Sequence, residues 1–357
     1  MRVTLFLSVL VMFLSGCDPF DTALGPEDVT YYVSDDIESF SGVSDTLGVM
    51  TWNIKFGGGR IDFFFDCHGD RVIMDSSEVQ NHLKGISAFL RHEQPDVLFV
   101  QEIDVNSKRS AYVDQVQWLL DHTAFNYAVY SPQWKADYIP SEGLGKMNSG
   151  NAVFSRFPLF KAQRISLPLI EEQNFLVRYF YLKRCLLDVS VVVGGDTLRL
   201  MNTHLAAYSS DGTKKKQIDR VYKYADSLNH NQQKLIVAGD FNSLPPGTRK
   251  VRGFPDSACA DGDFEADDYS GEEDWMNPFY QTFQPAVTHE SYISDNALYF
   301  THTTDGEGFW NRKVDYIFSN LPVVPGSGRV FQQSEKSEIN PMSLSDHCAV
   351  AARIVLE

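Results

Sequence analysis

Apolar residues in this chain fall into continuous runs and into runs that recur every third or fourth position. The continuous stretch from Gly48 to Ile54, closed by Gly57 to Gly59, predicts a buried strand. Val79, Leu83, Ile86, Phe89 and Leu90 then share one face of a helix, which Pro95 and Asp96 bring to an end before the strand "VLFVQEID". The same sequence of patterns returns later. "LRLMNTHLA" is a strand ending in polar residues, Ile218, Val221, Ala225 and Leu228 mark a helix from Lys214 to Leu228, and "KLIVAGDFN" is a strand that ends at Asp240. Because "VLFV" and "LIVA" do not alternate, those strands are expected to be covered on both faces. Two similar half-units in an α/β domain, with two sheets packed together and helices outside, would satisfy that burial.

The two ends of the pattern differ from its middle. "MRVTLFLSVLVMFLSGC" has one Arg, an apolar stretch from Val3 to Leu14 and small residues, which is the layout of a secretory signal over residues 1–16. Its ending resembles a bacterial lipoprotein signal in which Cys17 becomes the lipidated first residue; an ordinary cleaved signal is the alternative. Either reading places the mature protein outside the cytoplasm, in the cell envelope and lipid-anchored in the first case, secreted in the second. Residues 17–46 are polar and acidic and read as a tether, and residues 47–357 as the folded domain. The acidic run "DSACADGDFEADDYSGEEDW" reads as a solvated surface loop, and "KKK" at 214–216 as a wetted first helical turn. Setting Cys17 aside leaves Cys67, Cys185, Cys259 and Cys348 with no C-x-x-C pair, and their connectivity stays open.

Charge narrows the function. With 31 basic against 47 acidic residues the chain carries a formal net charge of −16. Such a chain repels nucleic-acid backbones at long range, which argues against tight non-specific binding unless basic residues cluster or metal ions intervene.

Polar residues nevertheless interrupt the ends of the apolar strands: Asn53, Glu102, Asn202 with His204, Asp240 with Asn242, Asp315, and Asp346 with His347. Any one of these is ordinarily a turn cap or a satisfied core residue. Six such stops in one chain form an inventory of four acids, two imidazoles and three amides, rich in the oxygen ligands that hold Mg²⁺ or Mn²⁺ and poor in the His and Cys that zinc prefers. Metal-assisted chemistry on a phosphate ester fits this set.

"TWNIKF", "FVQEID", "SGNAVFSR", "NTHLA", "VAGDFNS", "KVDYIFSN" and "LSDHCAV", in that order, resemble the endonuclease/exonuclease/phosphatase superfamily over about residues 47 to 356. The resemblance implies a four-layer α/β/β/α sandwich of two packed mixed sheets with the active site at one edge. It implies Glu102 as principal metal ligand, supported by Asn53 and Asp346. Asp240 would orient or deprotonate the attacking water, Asn242 would fix that water or a phosphate oxygen, and His204 would contact the phosphate. His347 would pair with Asp315, while Asn202 and Asn151 would help to bind substrate. Whether His347 or Asp240 is the general base stays open at this level.

The expected activity is hydrolysis of phosphodiesters or phosphomonoesters, lipid head groups or small phosphates, with a Mg-dependent nuclease and a catalytically silent binding lipoprotein as alternatives. The expected partners are the phosphoester substrate and, through the N-terminal lipid, a membrane. The aromatic insertion "IDFFFD" could stack on a base, face a lipid surface or fill the core.

Overall fold

The computed structural model describes residues 18–38, 45–67, 69–207, 210–257, 267–306, 308–333 and 340–356. Among them, seven strands form one sheet: β1 (Thr30–Val33), β2 (Thr46–Asn53), β3 (Val97–Asp104), β4 (Tyr127–Ile139), β5 (Gly145–Ser155), β12 (Arg329–Val330) and β13 (Val350–Val355), in spatial order β1-β4-β5-β3-β2-β13-β12. Six form the other: β6 (Leu159–Ser166), β7 (Cys185–Val193), β8 (Asp196–His204), β9 (Lys234–Asp240), β10 (Gln284–Pro285) and β11 (Asp315–Ser319), in the order β10-β11-β9-β8-β7-β6. Helices α1 (Ser76–Glu93) and α2 (Gln115–Asp121) lie against the first sheet, and the long helix α4 (Thr213–His230) against the second; the short α3 (Phe175–Phe180) lies between β6 and β7 in the chain.

The absence of alternation in the central strands is explained by three cores. Along β3, Leu98 and Val100 pack with α1 and α2, while Val97 and Phe99 pack between the sheets. Along β9, Leu235 and Val237 pack with α4, while Ile236 and Ala238 enter the inter-sheet core. Each strand therefore serves two apolar layers, as in a doubly covered sheet, and the four-layer sandwich expected above is what forms. Each sheet contains one of the two half-units: β2 and β3 pair in parallel across α1, and β8 and β9 pair in parallel across α4. Helix α1 starts at Asp75, whose carboxylate accepts the Glu78 N–H while Glu78 returns to the Asp75 N–H, a reciprocal cap.

Three expectations need correction. The segment read as a tether is partly structural, because Thr30–Val33 pairs antiparallel with Tyr127–Tyr130 of β4. Four residues are too few to show a period, and the strand exists because β4 offers it an edge. Lys214 is not wetted: it is buried, 2.7 Å from Glu272, with its ammonium also donating to the carbonyls of Ala207 and Asn242. Within the acidic run, Asp267 and Glu272 are buried and the side chain of Asp256 is fully covered, Asp256 and Asp267 on Arg312, since each gains a cationic partner from a distant segment. Cys67 is disulfide-bonded, and Cys185 and Cys348 are free and buried; Cys17 and Cys259 lie outside the described residues. Among the described residues no helix is long and apolar enough to cross a membrane.

Candidate active site

The polar stops gather because of strand register. In the second sheet Asp315 at the start of β11 lies opposite Asp240 at the end of β9, and Asp240 is level with His204 at the end of β8. In the first sheet Asn53 ends β2 beside Gln101 of β3. The next residue, Glu102, sits on a register break between Val100 and Ile103 with φ of 52°, a backbone turn that re-aims its side chain. The loop before β13 brings Asp346 and His347, pinned where Trp52 Nε1 donates to the His347 carbonyl at 2.9 Å and Ser345 Oγ to the Asn53 carbonyl at 2.8 Å. Gly239, directly before Asp240, lies so close to β8 that a Cβ there would sit 1.9 Å from the Thr203 oxygen.

At the centre, Asn53 Nδ2 donates to both Glu102 Oε1 and Asp240 Oδ2 at 3.2 Å, holding two carboxylates apart with one amide. His347 Nδ1 is 2.9 Å from Asp315 Oδ2, and its Nε2 is 3.7 Å from Asp240 Oδ2. His204 Nε2 approaches the same Asp240 oxygen at 3.4 Å and Glu102 at 3.9 Å. Asn242 donates its backbone N–H to Asp240 Oδ1 at 2.9 Å and its amide to the Leu205 carbonyl. Glu102, His204, Asp240, Asn242, Asp346 and His347 all line one cavity of about 770 Å³.

The two imidazoles are held in opposite states. Burial works against a charge on His347, but Asp315 and Asp240 outweigh it and push the pKa up to about 10. Burial, then the charges of Arg184, His347 and His302, hold His204 well below the ordinary histidine value. Burial is also the largest influence on Asp240; it outweighs the neighbouring His347 and, with Asp315 alongside, raises the carboxyl to about 7. Asp346 moves the other way: Lys55 and His347 overcome its burial and hold it below the usual carboxylate range.

Of the two expected substrate contacts, Asn202 is engaged elsewhere, whereas Asn151 lies on β5 across from the register break that carries Glu102. Asn202 is fully buried between the sheets, where Nδ2 donates to the Val100 and Ala152 carbonyls, each at 2.8 Å, and Oδ1 accepts from Gln101 at 2.6 Å. It bridges strands and does not line the cavity, because a side chain two residues before a strand end still points into the sandwich. Asn151 is also fully buried, and its amide has no hydrogen-bond partner among the described residues.

Several residues in or beside the cavity went unread in the sequence. His302 packs its ring 4.2 Å from that of His347, with Nδ1 3.0 Å from the Asp346 carbonyl. Arg184 lines the cavity and donates to Gln133 Oε1 at 3.1 Å. Lys55, buried, lies 2.9 Å from Asp66 and 3.6 Å from Asp346. Lys55 stands inside the quoted "TWNIKF"; His302 and Arg184 carried no periodic signal, since one precedes and the other ends a loop.

The donor set suits a hard divalent cation. Carboxylates crowd the cavity floor, Asp346 raises the pKa of Glu102 beyond what burial does, and Asp315 Oδ1 is buried without a partner among the described residues. Two groups, His302 with Asp346 and His347, and Asp240 with Asp315 and His347, each place their ligand atoms within 4.8 Å of one another. Glu102 belongs to neither group and joins the cluster through Asn53.

A four-layer sandwich with acids, amides and imidazoles converging at its rim defines a hydrolase of phosphoric ester bonds. The sequence profile of the Endonuclease/Exonuclease/phosphatase family matches residues 50–347, and the chain belongs to that family. No curated protein matches it in sequence. Among solved structures it is similar to an endonuclease/exonuclease/phosphatase from Beutenbergia cavernae DSM 12333, at 21% identity and TM-score 0.57 over 87% of this chain and 72% of that one. A family protein from Leptotrichia buccalis C-1013-b is similar at 17% identity and TM-score 0.52, covering 86% and 99%. D. rerio TDP2, complexed with a single-strand DNA product, is similar at 18% identity and TM-score 0.51, covering 87% and 99%. At these identities the likenesses speak for the fold.

Proposed function

We propose that the protein is a divalent-metal-dependent phosphoester hydrolase of the cell envelope, anchored through Cys17 and acting on phosphodiesters or monoesters of lipid head groups or small phosphates. The observation that carries the chemistry is the Asp315–His347 pair 3.7 Å from Asp240 in a cavity shared with Glu102. Asp240 takes the proton of the attacking water: it faces the cavity and is flanked by Asn53 and the Asn242 N–H, which fix its orientation. His347, kept charged by Asp315, and the Arg184 guanidinium draw the negative charge that builds on the phosphoryl oxygens, and neutral His204 offers a hydrogen bond to them. A Mg²⁺ or Mn²⁺ ion held by Glu102, with Asn53 and Asp346 in support, would supply Lewis-acid neutralisation of those oxygens.

An acidic chain favours small or lipid-borne esters over nucleic acid. The basic run Thr248 to Arg252 keeps Arg249, Lys250 and Arg252 exposed to solvent and does not line the cavity. Hydrolysis of bis(4-nitrophenyl) phosphate is expected to stop in EDTA and return with Mg²⁺ or Mn²⁺, with little cleavage of plasmid DNA. Salt-sensitive DNA cleavage at a comparable rate would favour the nuclease reading instead.

A further inference from the structure

One wall of the cavity is built by residues 168–184, and the middle of that segment turns outward. Leu169, Tyr181 and Leu182 line the cavity, whereas α3 between them exposes Phe175 by 75% and Leu176 by 67%. Free-standing apolar side chains of this size, side by side, are uncommon on a surface with no binding role. They stand on a fixed element: the Asn174 side chain caps α3 by accepting the Val177 N–H at 3.0 Å, and Trp134 Nε1 donates to the Phe180 carbonyl at 2.7 Å. Phe180 and Phe64 pack against the same small apolar cluster, which brings Phe65 of the aromatic insertion, 40% exposed and on the cavity wall, to this side of the mouth.

Asp18 and Phe20 pack against this segment as well. Tyr179 donates its hydroxyl to Asp18, and the Phe20 ring lies 5.2 Å from that of Phe180. Asp18 is thus held beside α3, one position after Cys17 in a sequence whose apolar run spans Val3 to Leu14. On the same segment half-exposed Arg178 and Lys183 follow the ridge, and exposed Glu171 and Glu172 precede it. An exposed apolar ridge on a fixed element, with mixed charge on either side and at the point where a lipid-bearing terminus would emerge, has the make-up of an interfacial anchor.

We propose that α3 is a bilayer-docking element that seats Phe175 and Leu176 at the boundary of head groups and acyl chains and turns the cavity toward phosphoesters carried at that surface. The inference rests on the phosphoester-hydrolase reading of the cavity. It is tested with the full chain carrying Phe175→Trp, mixed with vesicles of phosphatidylcholine brominated in the acyl chains. The expected result is tryptophan quenching beyond that of the parent, with none added by Val192→Trp, a control on β7 near the turn of the β7–β8 hairpin, far along the strand from His204. The Phe175→Ser/Leu176→Ser double variant should keep the parental rate on bis(4-nitrophenyl) phosphate and lose roughly tenfold or more on phospholipid in vesicles.

No added quenching, or an unchanged rate on vesicles, overturns the docking surface. If the indole at position 175 is already shielded without vesicles and unaffected by them, the ridge is covered by residues 3–14 or by a second copy, and the inference also falls. Failure of the parent on the soluble diester, with quenching intact, sinks the hydrolase reading and leaves docking standing.

Discussion

His204 and His347 approach the same oxygen of Asp240 from two sides, yet only His347 has a carboxylate on its second nitrogen. That difference separates their charges, and it can be measured. The folded-state pKa of His347 lies above its unfolded value, so the pair with Asp315 contributes its full stability below about pH 6.5 and loses it as pH rises toward about 10. In EDTA, Asp315→Asn should lower the melting temperature at pH 6 and bring it close to the parent near pH 10; an equal offset at both pH values would contradict the pairing. Asn202 tests the opposite kind of role. Its amide joins both sheets through three hydrogen bonds, so Asn202→Ala should cost about 2 to 4 kcal/mol in denaturant unfolding while the folded fraction keeps parental KM. A raised KM with unchanged stability would return it to substrate binding. His302, in a loop, breaks no apolar run, whereas Glu102, Asp240, Asp315, Asp346, His204 and His347 were legible because each breaks one. Asn202 breaks one too, and only the inter-sheet contacts reveal that its amide points inward.

At the level of elements, the two strand–helix–strand units were readable because both kinds of apolar pattern are long and uninterrupted there. β1 was not, since its identity comes from the edge of β4, and neither was the burial of Asp256, whose partners lie more than forty residues away in the chain. Asp256 accepts from the Thr304 N–H at 2.8 Å, from Asn311 and from Arg312, and so fastens the loop that carries His302 to the approach of β11. Burial opposes its charge, but Arg312 and His302 prevail and hold the pKa below the ordinary carboxylate range. A depressed pKa contributes stability that is present above the unfolded value and lost as pH falls. Asp256→Asn should therefore destabilise the protein by about 2 to 3 kcal/mol at pH 7 and flatten its acid limb below about pH 4, as read by urea unfolding across pH. An unchanged acid limb would show that the carboxylate is not ionised there.

Across the whole molecule, two sheets that each end their parallel pair at the same edge bring residues from positions 102 to 347 into one cavity, with Asn53 bonded to Asp240. The layering followed from strands that feed two cores, while the apolar wall at residues 168–184 belongs to a segment whose short helix shows no period in sequence. The central claim is that Asp240 and His347 act on the same phosphoryl group. It is tested most directly by purifying Asp240→Asn and His347→Ala and measuring Mg²⁺-dependent hydrolysis of bis(4-nitrophenyl) phosphate beside their circular dichroism spectra. Each variant should keep the parental spectrum and lose roughly two to four orders of magnitude in kcat; a folded variant that turns over at the parental rate would contradict the account.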